Sequence, residues 1–531
     1  MLPVQRPVPW YWSTLAGVAA LAACLRFAPP VSGSGDSSEF TLVLALNGIA
    51  HPTGYPLYTL FGHAYVMALH ALGASWAFAA NTWSALGAGV AVGLMHALGA
   101  RLIPPGAGLP VPARAALAAL PVALFALHPA WIDVATVAEV YSWHQAWVMG
   151  AALLFWRLVG APGGVRAPGG DGGRGAGLSA RAAAGWGLMC GAGLAHHLAA
   201  GLVVGPLTRS LLWAHPGTGR RRLAHLAVAA LAALVPLSSY GLLFVRMGAG
   251  GPAHWVGLEP TWVGFWRHVT GAQYHGLVGH FGFSGEEGSA IAATVLPFLV
   301  PGLLLFAASC AGRGRAARLG LLALMAAVLL QTGFALSYGV SDPGAFFLPP
   351  LGLALLPVVP VLAARMGAGR AGRRPAIAAG AALGGLAVAL WLPWSQSALQ
   401  LRSAHVGLDA MVHEMWSGIR CERGLVLWHN DMFQRLREYQ LFGGENPGLE
   451  VLNPWMFTDP VVRRKFAARH GFDPLGNLRF SRRDLLSTGP ESPATRAFFL
   501  EVARHINANT ELPVVEFAPD VPMVRVLDKP R

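Results

Sequence analysis

Two short runs near the N-terminus hold residue types suited to acid–base chemistry. The first is Ser32-Gly33-Ser34-Gly35-Asp36-Ser37-Ser38-Glu39-Phe40, and the second is His51-Pro52-Thr53-Gly54-Tyr55-Pro56-Leu57-Tyr58. The glycines before Asp36 let the chain turn tightly. A helix over 36–47 would put Asp36 and Glu39 three apart on one face. A carboxylate held there can take a proton from an attacking hydroxyl. The same residues also read as a helix start, with Asp36 as cap and Glu39 completing a box-like pattern. The second run likewise reads as a rigid two-proline turn between surface helices. Residue type and spacing leave both readings open.

The elements that must position these runs are apolar. The chain has 531 residues, of which 54% are apolar and 12% charged, against roughly a quarter charged in soluble proteins. Mean hydropathy is +0.49. A soluble fold this apolar could not cover itself with polar surface, so the expected solvent is a bilayer. Stretches near the ~20 residues needed to cross one recur from Trp10 to about Trp394. Eleven spans are predicted, over 10–28, 76–99, 115–130, 139–159, 182–196, 198–214, 223–245, 289–309, 319–338, 346–364 and 375–395. The short pair meeting at His196 and His197 reads as one re-entrant feature or as two tilted helices.

Charge orients these spans. The formal net charge is +13, almost all from arginine, and lysine occurs only at Lys465 and Lys529. That excludes a Walker-type phosphate loop, which needs a Gly-Lys-Ser/Thr step. The arginines lie between apolar spans, which is a topology signal, and no nucleic-acid partner is expected. With the N-terminus cytoplasmic, the inner segments hold 18 basic residues and one acid, Asp171. The outer loops before residue 396 hold Arg267, with Arg26 and Arg246 at outer span ends, where long side chains snorkel. This positive-inside pattern with an odd span count places the C-terminal segment outside. Leu21–Cys24 resembles a lipoprotein processing site, but it reads better as part of an ordinary first span.

Two outer loops are long, about 29–75 and 246–288, and the Gly- and Arg-rich stretch 160–181 reads as an inner linker. Residues 396–531 carry 17 basic and 16 acidic residues. In that segment Gly424–Trp428 and Leu449–Leu452 read as strands and 431–442 as a helix. The predicted fold is an all-α polytopic membrane domain over 1–395 with a small α/β extracytoplasmic domain over 396–531.

Eight acids of the membrane half fall outside or at the outer boundary: Asp36, Glu39, Asp133, Glu139, Glu259, Glu286, Glu287 and Asp342. Ionisable groups near membrane depth are costly and often functional, so a site at the outer face is expected. Cys24, Cys190, Cys310 and Cys421 have no close partner in sequence, which predicts neither a disulfide framework nor a cysteine metal site. The 19 histidines lack ligand spacing. His413-Glu414 is followed by Met-Trp-Ser, so the zinc motif His-Glu-x-x-His fails. No metal site is expected, although a divalent ion on Asp36 and Glu39 is compatible with their chemistry.

At these residues the chain resembles a known family. Gly35-Asp36-x-x-Glu39-Phe40, a spacer and His51-Pro52-x-Gly54-Tyr55-Pro56-Leu57-Tyr58 are similar to the signature of the transmembrane O-mannosyltransferases that modify IPT domains of plexin-type receptors, and of their bacterial relatives. Asn81 and Ser84, His128-Pro129-Ala130-Trp131, Ala138-Glu139-Val140-Tyr141, Gly193-Leu194-Ala195-His196-His197 and Asp342–Pro349 follow in the family's order. The resemblance covers roughly 10–395. One departure is Ser37-Ser38, where relatives commonly have Ser-Gly. Trp428–Asp431 and Glu438-Tyr439-Gln440 are similar to a strand-Asp-helix-Tyr-x-Gln element, read here as a turn and helix cap.

The family looks like part of the C-type glycosyltransferase (GT-C) superfamily, which implies a polyprenyl-phosphate sugar donor and inversion at the anomeric carbon. The resemblance assigns Asp36 as general base, with Glu39 orienting it or binding acceptor. A lipid-phosphate leaving group needs a cation or preorganised donors. Arg267 is the favoured phosphate contact, since Trp262–Tyr274 is aromatic and amphipathic; the alternative is an interfacial arginine meeting lipid headgroups. Arg246 and Arg26 are the other cations, helped by His51, His196, His197 or Tyr274. Glu139 reads as an acceptor or sugar contact or as a helix-start acid. The expected substrate-binding set is thus His51, Tyr55, Glu139, Tyr141, His196, His197, Arg267, Tyr274 and Asp342.

The expected function is transfer of a sugar, with mannose suggested, from a lipid carrier to an acceptor hydroxyl. The setting is the outer face of a bacterial inner membrane. The expected partners are membrane lipids, the lipid-linked donor and a protein, glycolipid or polysaccharide acceptor. No resident cofactor is assigned. The rivals are a flippase for lipid-linked sugar, which predicts midplane charges or repeats, and a non-catalytic scaffold.

Overall fold

The computed structural model describes residues 7–104, 107–159, 178–215, 217–279, 285–311, 313–339, 343–368, 373–428, 432–480, 493–518 and 523–529. Asp171, Asp342 and 429–431 lie outside the described residues. The membrane half opens with α1 (Trp10–Phe27), α2 (Ser37–Leu46), α3 (Pro56–Ala71), α4 (Trp76–Leu102), α5 (Val111–Ala126), α6 (Pro129–Thr136) and α7 (Tyr141–Val159). It continues with α8 (Ala180–His196), α9 (Gly201–Ala214), α10 (Gly219–Leu237), α11 (Ser239–Ala249) and α12 (Trp262–Val269). Then come α13 (Gly285–Thr294), α14 (Leu296–Cys310), α15 (Arg315–Ser337), α16 (Leu348–Leu355), α17 (Val358–Ala368) and α18 (Arg373–Ser417).

Helix lies over each predicted span, as expected where backbone groups must be satisfied within a segment. By length and composition, four helices among the described residues are long and apolar enough to cross a membrane, or up to six when each of two bent pairs counts as one. One bend falls inside the predicted span over 115–130. The chain turns by 85° between α5 and α6. Pro129 is the first residue of α6 and has no N–H to continue α5. At the other ambiguous point, α8 ends at His196, extended backbone at His197 follows, and α9 starts after a 3₁₀ turn at Leu198–Ala200. These are two helices.

Small residues let the helices touch. A Cβ on Gly17 of α1 would sit 2.7 Å from Gly89 O of α4, and one on Gly187 of α8 would sit 2.0 Å from Ala229 O of α10. Such close backbone approach is how helices associate where lipid removes the hydrophobic drive. At one end of the bundle Trp156 Nε1 donates to Arg101 O at 3.2 Å, and Arg313 donates to Leu102 O at 3.1 Å. The signature runs lie at the opposite end.

The C-terminal part is a four-stranded sheet of order β2-β1-β3-β4. It is built from β1 (Gly424–Leu427), β2 (Leu449–Leu452), β3 (Val514–Ala518) and β4 (Met523–Val526). β1 pairs parallel with β2 and β3, through Val426 opposite Val451 and Val515, and β4 is antiparallel to β3. Around it pack α19 (Phe433–Gly443), α20 (Pro460–His470) and α21 (Pro493–Asn509). The expected boundary at 395 falls inside α18, whose Val412, Met415 and Trp416 join the core of this sheet with Trp428 and Phe433. The last predicted span therefore continues without a break into the C-terminal fold.

Candidate active site

The site begins with two buried polar side chains on α4. Asn81 Nδ2 donates to Pro29 O at 3.0 Å and Val31 O at 2.8 Å, and its Oδ1 accepts from Ala138 N at 2.8 Å. Ser84 Oγ exchanges hydrogen bonds of 2.9 Å with the backbone of Glu139. One helix thus ties the Asp36 loop to the Glu139 link. These residues carried the family resemblance but no assigned task, and their task is to bring the two acidic segments together.

Asp36 sits at the N-cap position of α2, yet its side chain makes no cap hydrogen bond. The carboxylate is 45% exposed. Gly35, just before it, has φ +62°, a left-handed conformation that favours glycine. Glu39 does not form a capping box either. Its buried carboxylate accepts from the His51 backbone N–H, and His51 Nδ1–H donates to its Oε2 at 3.2 Å. That bond leaves Nε2 as an acceptor, and Tyr55 OH donates to it at 3.0 Å. Asp36 Oδ2 lies 3.8 Å from the same Nε2. His51 therefore stands between the two carboxylates, and Glu39 orients His51.

Asp36 opens into a cavity of about 500 Å³. The cavity brings together Asp36, His51, Tyr55, Glu139, Tyr141, His197 and Tyr274 of the expected set. Burial, beside Asp36 and the neighbouring phenols, holds the Tyr55 and Tyr274 hydroxyls well above their ordinary range, so both are neutral donors. His196 lies one layer behind the wall, with Nε2 3.2 Å from Val140 O. Arg267 is not on the wall. It lies in an adjoining cleft with His268 and Asp459, 4.0 Å from Glu259 Oε2. Asp342 is outside the described residues.

Sequence reading left several wall residues unassigned as contacts, among them Asp133, Tyr338 and Phe346. Asp133 was visible only as an outer acid, and it meets His405 Nε2 of α18 at 3.1 Å. Phe346 lay within the Asp342–Pro349 run but was given no task, and Tyr338 had no signal apart from its place at the outer end of a span. Among the described residues, no arginine or lysine lines the cavity. Its polar wall consists of carboxylates, imidazoles and phenols, with Ser34, Thr53 and Thr270. Donor atoms of Asp36, Glu39 and His51 lie within 4.8 Å of one another, so these three residues could hold a divalent ion.

Residues 36–216 match the family model described as the protein O-mannosyl-transferase TMEM260 N-terminal domain. That stretch contains Asp36, Glu39, the second signature run, Glu139, Tyr141, His196 and His197. No curated protein matches the chain. The fold is similar to that of ArnT from Cupriavidus metallidurans bound to undecaprenyl phosphate. The TM-score is 0.55 at 14% identity, over 96% of this chain and 93% of that one. The apo state of ArnT matches over the same shares, at 14% identity and TM-score 0.50. AglB, an oligosaccharyltransferase from Archaeoglobus fulgidus, matches at 11% identity and TM-score 0.44, over 95% of this chain and 69% of that one. The chain thus has a mostly helical fold similar to that of ArnT, with a small C-terminal sheet.

Proposed function

We propose that this chain is a membrane glycosyltransferase that moves a sugar from a polyprenyl-phosphate carrier to an acceptor hydroxyl. The observation that carries this reading is the Asp36 carboxylate, which faces a cavity beside a His51 ring that Glu39 holds. Asp36 takes the acceptor proton. The acceptor oxygen bonds to the anomeric carbon from the face opposite the carrier. The carbon–oxygen bond to the phosphate breaks, and its electron pair leaves with the phosphate, so the anomeric centre inverts. Tyr274, a neutral donor on the wall, stabilises the developing charge. Glu139, Tyr141 and His197 contact sugar or acceptor.

The TMEM260-type match supports mannose as the sugar to try first. The setting proposed is a bacterial inner membrane crossed eleven times, with the N-terminus cytoplasmic and the site and C-terminal domain on the outer side. The arginine distribution supports that orientation. The acceptor class is open among protein, glycolipid and polysaccharide.

The test uses the purified full chain, a panel of polyprenyl-phosphate sugars and an acceptor-containing membrane extract. Asp36→Asn should lower turnover by on the order of 10²- to 10⁴-fold, with elution volume and thermal midpoint unchanged. Equal transfer by both proteins would remove Asp36 from the mechanism. Carrier binding without turnover of any donor would favour the flippase or the scaffold. An arm with a chelator decides whether a divalent ion on Asp36, Glu39 and His51 takes part.

A further inference from the structure

The C-terminal fold reaches the Asp36 loop through one face of α19. Arg435 is fully buried there. Its guanidinium donates to the carbonyl oxygens of Ser32 and Gly33, and its Nε lies 3.4 Å from Ser38 Oγ. Asp409 of α18 balances it at 3.2 Å and also accepts from Tyr439 OH at 2.8 Å. One turn further along α19, Glu438 accepts from Ser32 Oγ at 2.8 and 3.0 Å, and Ser32 Oγ lies 2.8 Å from Thr41 Oγ1. Arg435 grips the loop three and four residues before Asp36 and Glu438 four residues before it, and both also meet Ser38, two residues after it.

The other side of the loop is closed by the membrane half. A Cβ on Gly33 would sit 2.7 Å from the Val137 side chain. Asn81 holds Val31 O from the same side. The loop is therefore pressed between two parts of the chain some 400 residues apart in sequence. Its glycines give it no stiffness of its own. A solvated surface contact would need no buried guanidinium. A buried charge is tolerated only when its donors are satisfied, and here the partners include the backbone of the loop.

We propose that Arg435 and Glu438 are positioning residues for Asp36, so that the C-terminal domain completes the active site by clamping the loop that carries the base. This rests on Asp36 being the base of the transferase proposed above. A misplacement of about 1 Å in a reacting group can lower turnover on the order of 100-fold. The clamp therefore acts on kcat while leaving the cavity's donor contacts in place.

Arg435→Ala would remove the charge that balances Asp409 and the donor to two loop carbonyls and invites unfolding, so the conservative variants Arg435→Lys and Glu438→Gln are used in the full chain. Arg469→Ala, which breaks an exposed ion pair with Glu450, is the control in the same domain. Both conservative variants should lower kcat by on the order of 10- to 100-fold, with donor KM within about threefold. The control should match wild type. Hydrogen–deuterium exchange gives a readout independent of turnover. Amides of 32–38 should exchange faster in both variants, while those of β1 and β3 keep their protection. Wild-type kcat, or unchanged exchange over 32–38, in both variants would overturn the clamp. Loss of β-sheet protection along with the loop would show a merely structural role and overturn it too. If wild type transfers no sugar, the reading of the previous subsection fails, and the exchange result still decides whether the clamp exists.

Discussion

At the residue scale, the chemistry rests on which groups each carboxylate meets. Asp36 and Glu39 are three apart and equally acidic in sequence, yet their surroundings separate them. Glu39 is buried against His51, whereas Asp36 faces the cavity. That difference suits one for orienting a ring and the other for taking a proton. Arg267 is the contrasting case. Its aromatic, amphipathic context made it the favoured phosphate contact, but it is 43% exposed and 4.0 Å from Glu259. An exposed pair of this kind contributes at most about 1 kcal/mol. Arg267→Gln should therefore change donor KM by less than about fivefold. A change of 50-fold or more in donor KM would restore Arg267 to the phosphate site.

At the element scale, α4 and α19 hold the Asp36 loop from opposite sides. The α19 side has a pH signature. Glu438 is pushed up to about 7, first by burial and against the pull of Arg435 and of hydrogen bonds from Ser32 and Ser38; Asp409 adds to the upward shift. A carboxyl whose folded pKa is raised holds more protons in the folded state than in the unfolded one. Its contribution to stability is fully present below the ordinary carboxylate range and is lost as pH rises through about 7. Thermal midpoints measured from pH 4.5 to 8 should fall with rising pH in wild type more steeply than in Glu438→Gln. Parallel profiles for the two proteins would show that Glu438 does not titrate in this window.

At the scale of the whole molecule, the membrane bundle and the C-terminal sheet form one working unit. α18 passes from the last predicted span into the core of the sheet. α20 adds a second attachment, through Lys465 Nζ on the carbonyls of Val256 and Leu258 and Arg464 on Glu259. The proposed orientation can be read from the cysteines. Cys24 and Cys190 are buried, while Cys310 and Cys421 are half-buried and lie in the membrane half and the C-terminal domain respectively. In single-cysteine variants in intact spheroplasts, a membrane-impermeant maleimide should label Cys421 directly and Cys310 only after permeabilisation. The reverse order would invert the topology.

Sequence alone determined the solvent, the helical class and the location of the acidic signature. Each follows from local composition, because bilayer burial requires long apolar helices and signature residues cluster within short runs. The strands at Gly424–Leu427 and Leu449–Leu452 and the helix between them were legible for the same reason. Tertiary structure decided what periodicity cannot carry. Glu39 meets His51 twelve residues away only because the 47–55 segment folds back over α2. Asp133, Tyr338 and Phe346 reach the cavity wall from separate elements. Arg435 and Glu438 read as ordinary charges on a helix of a soluble domain, and nothing within that domain points to the loop they grip. Their partners lie some 400 residues earlier. Contacts at that separation are set by how α18 and α19 pack on the bundle, which no local pattern encodes.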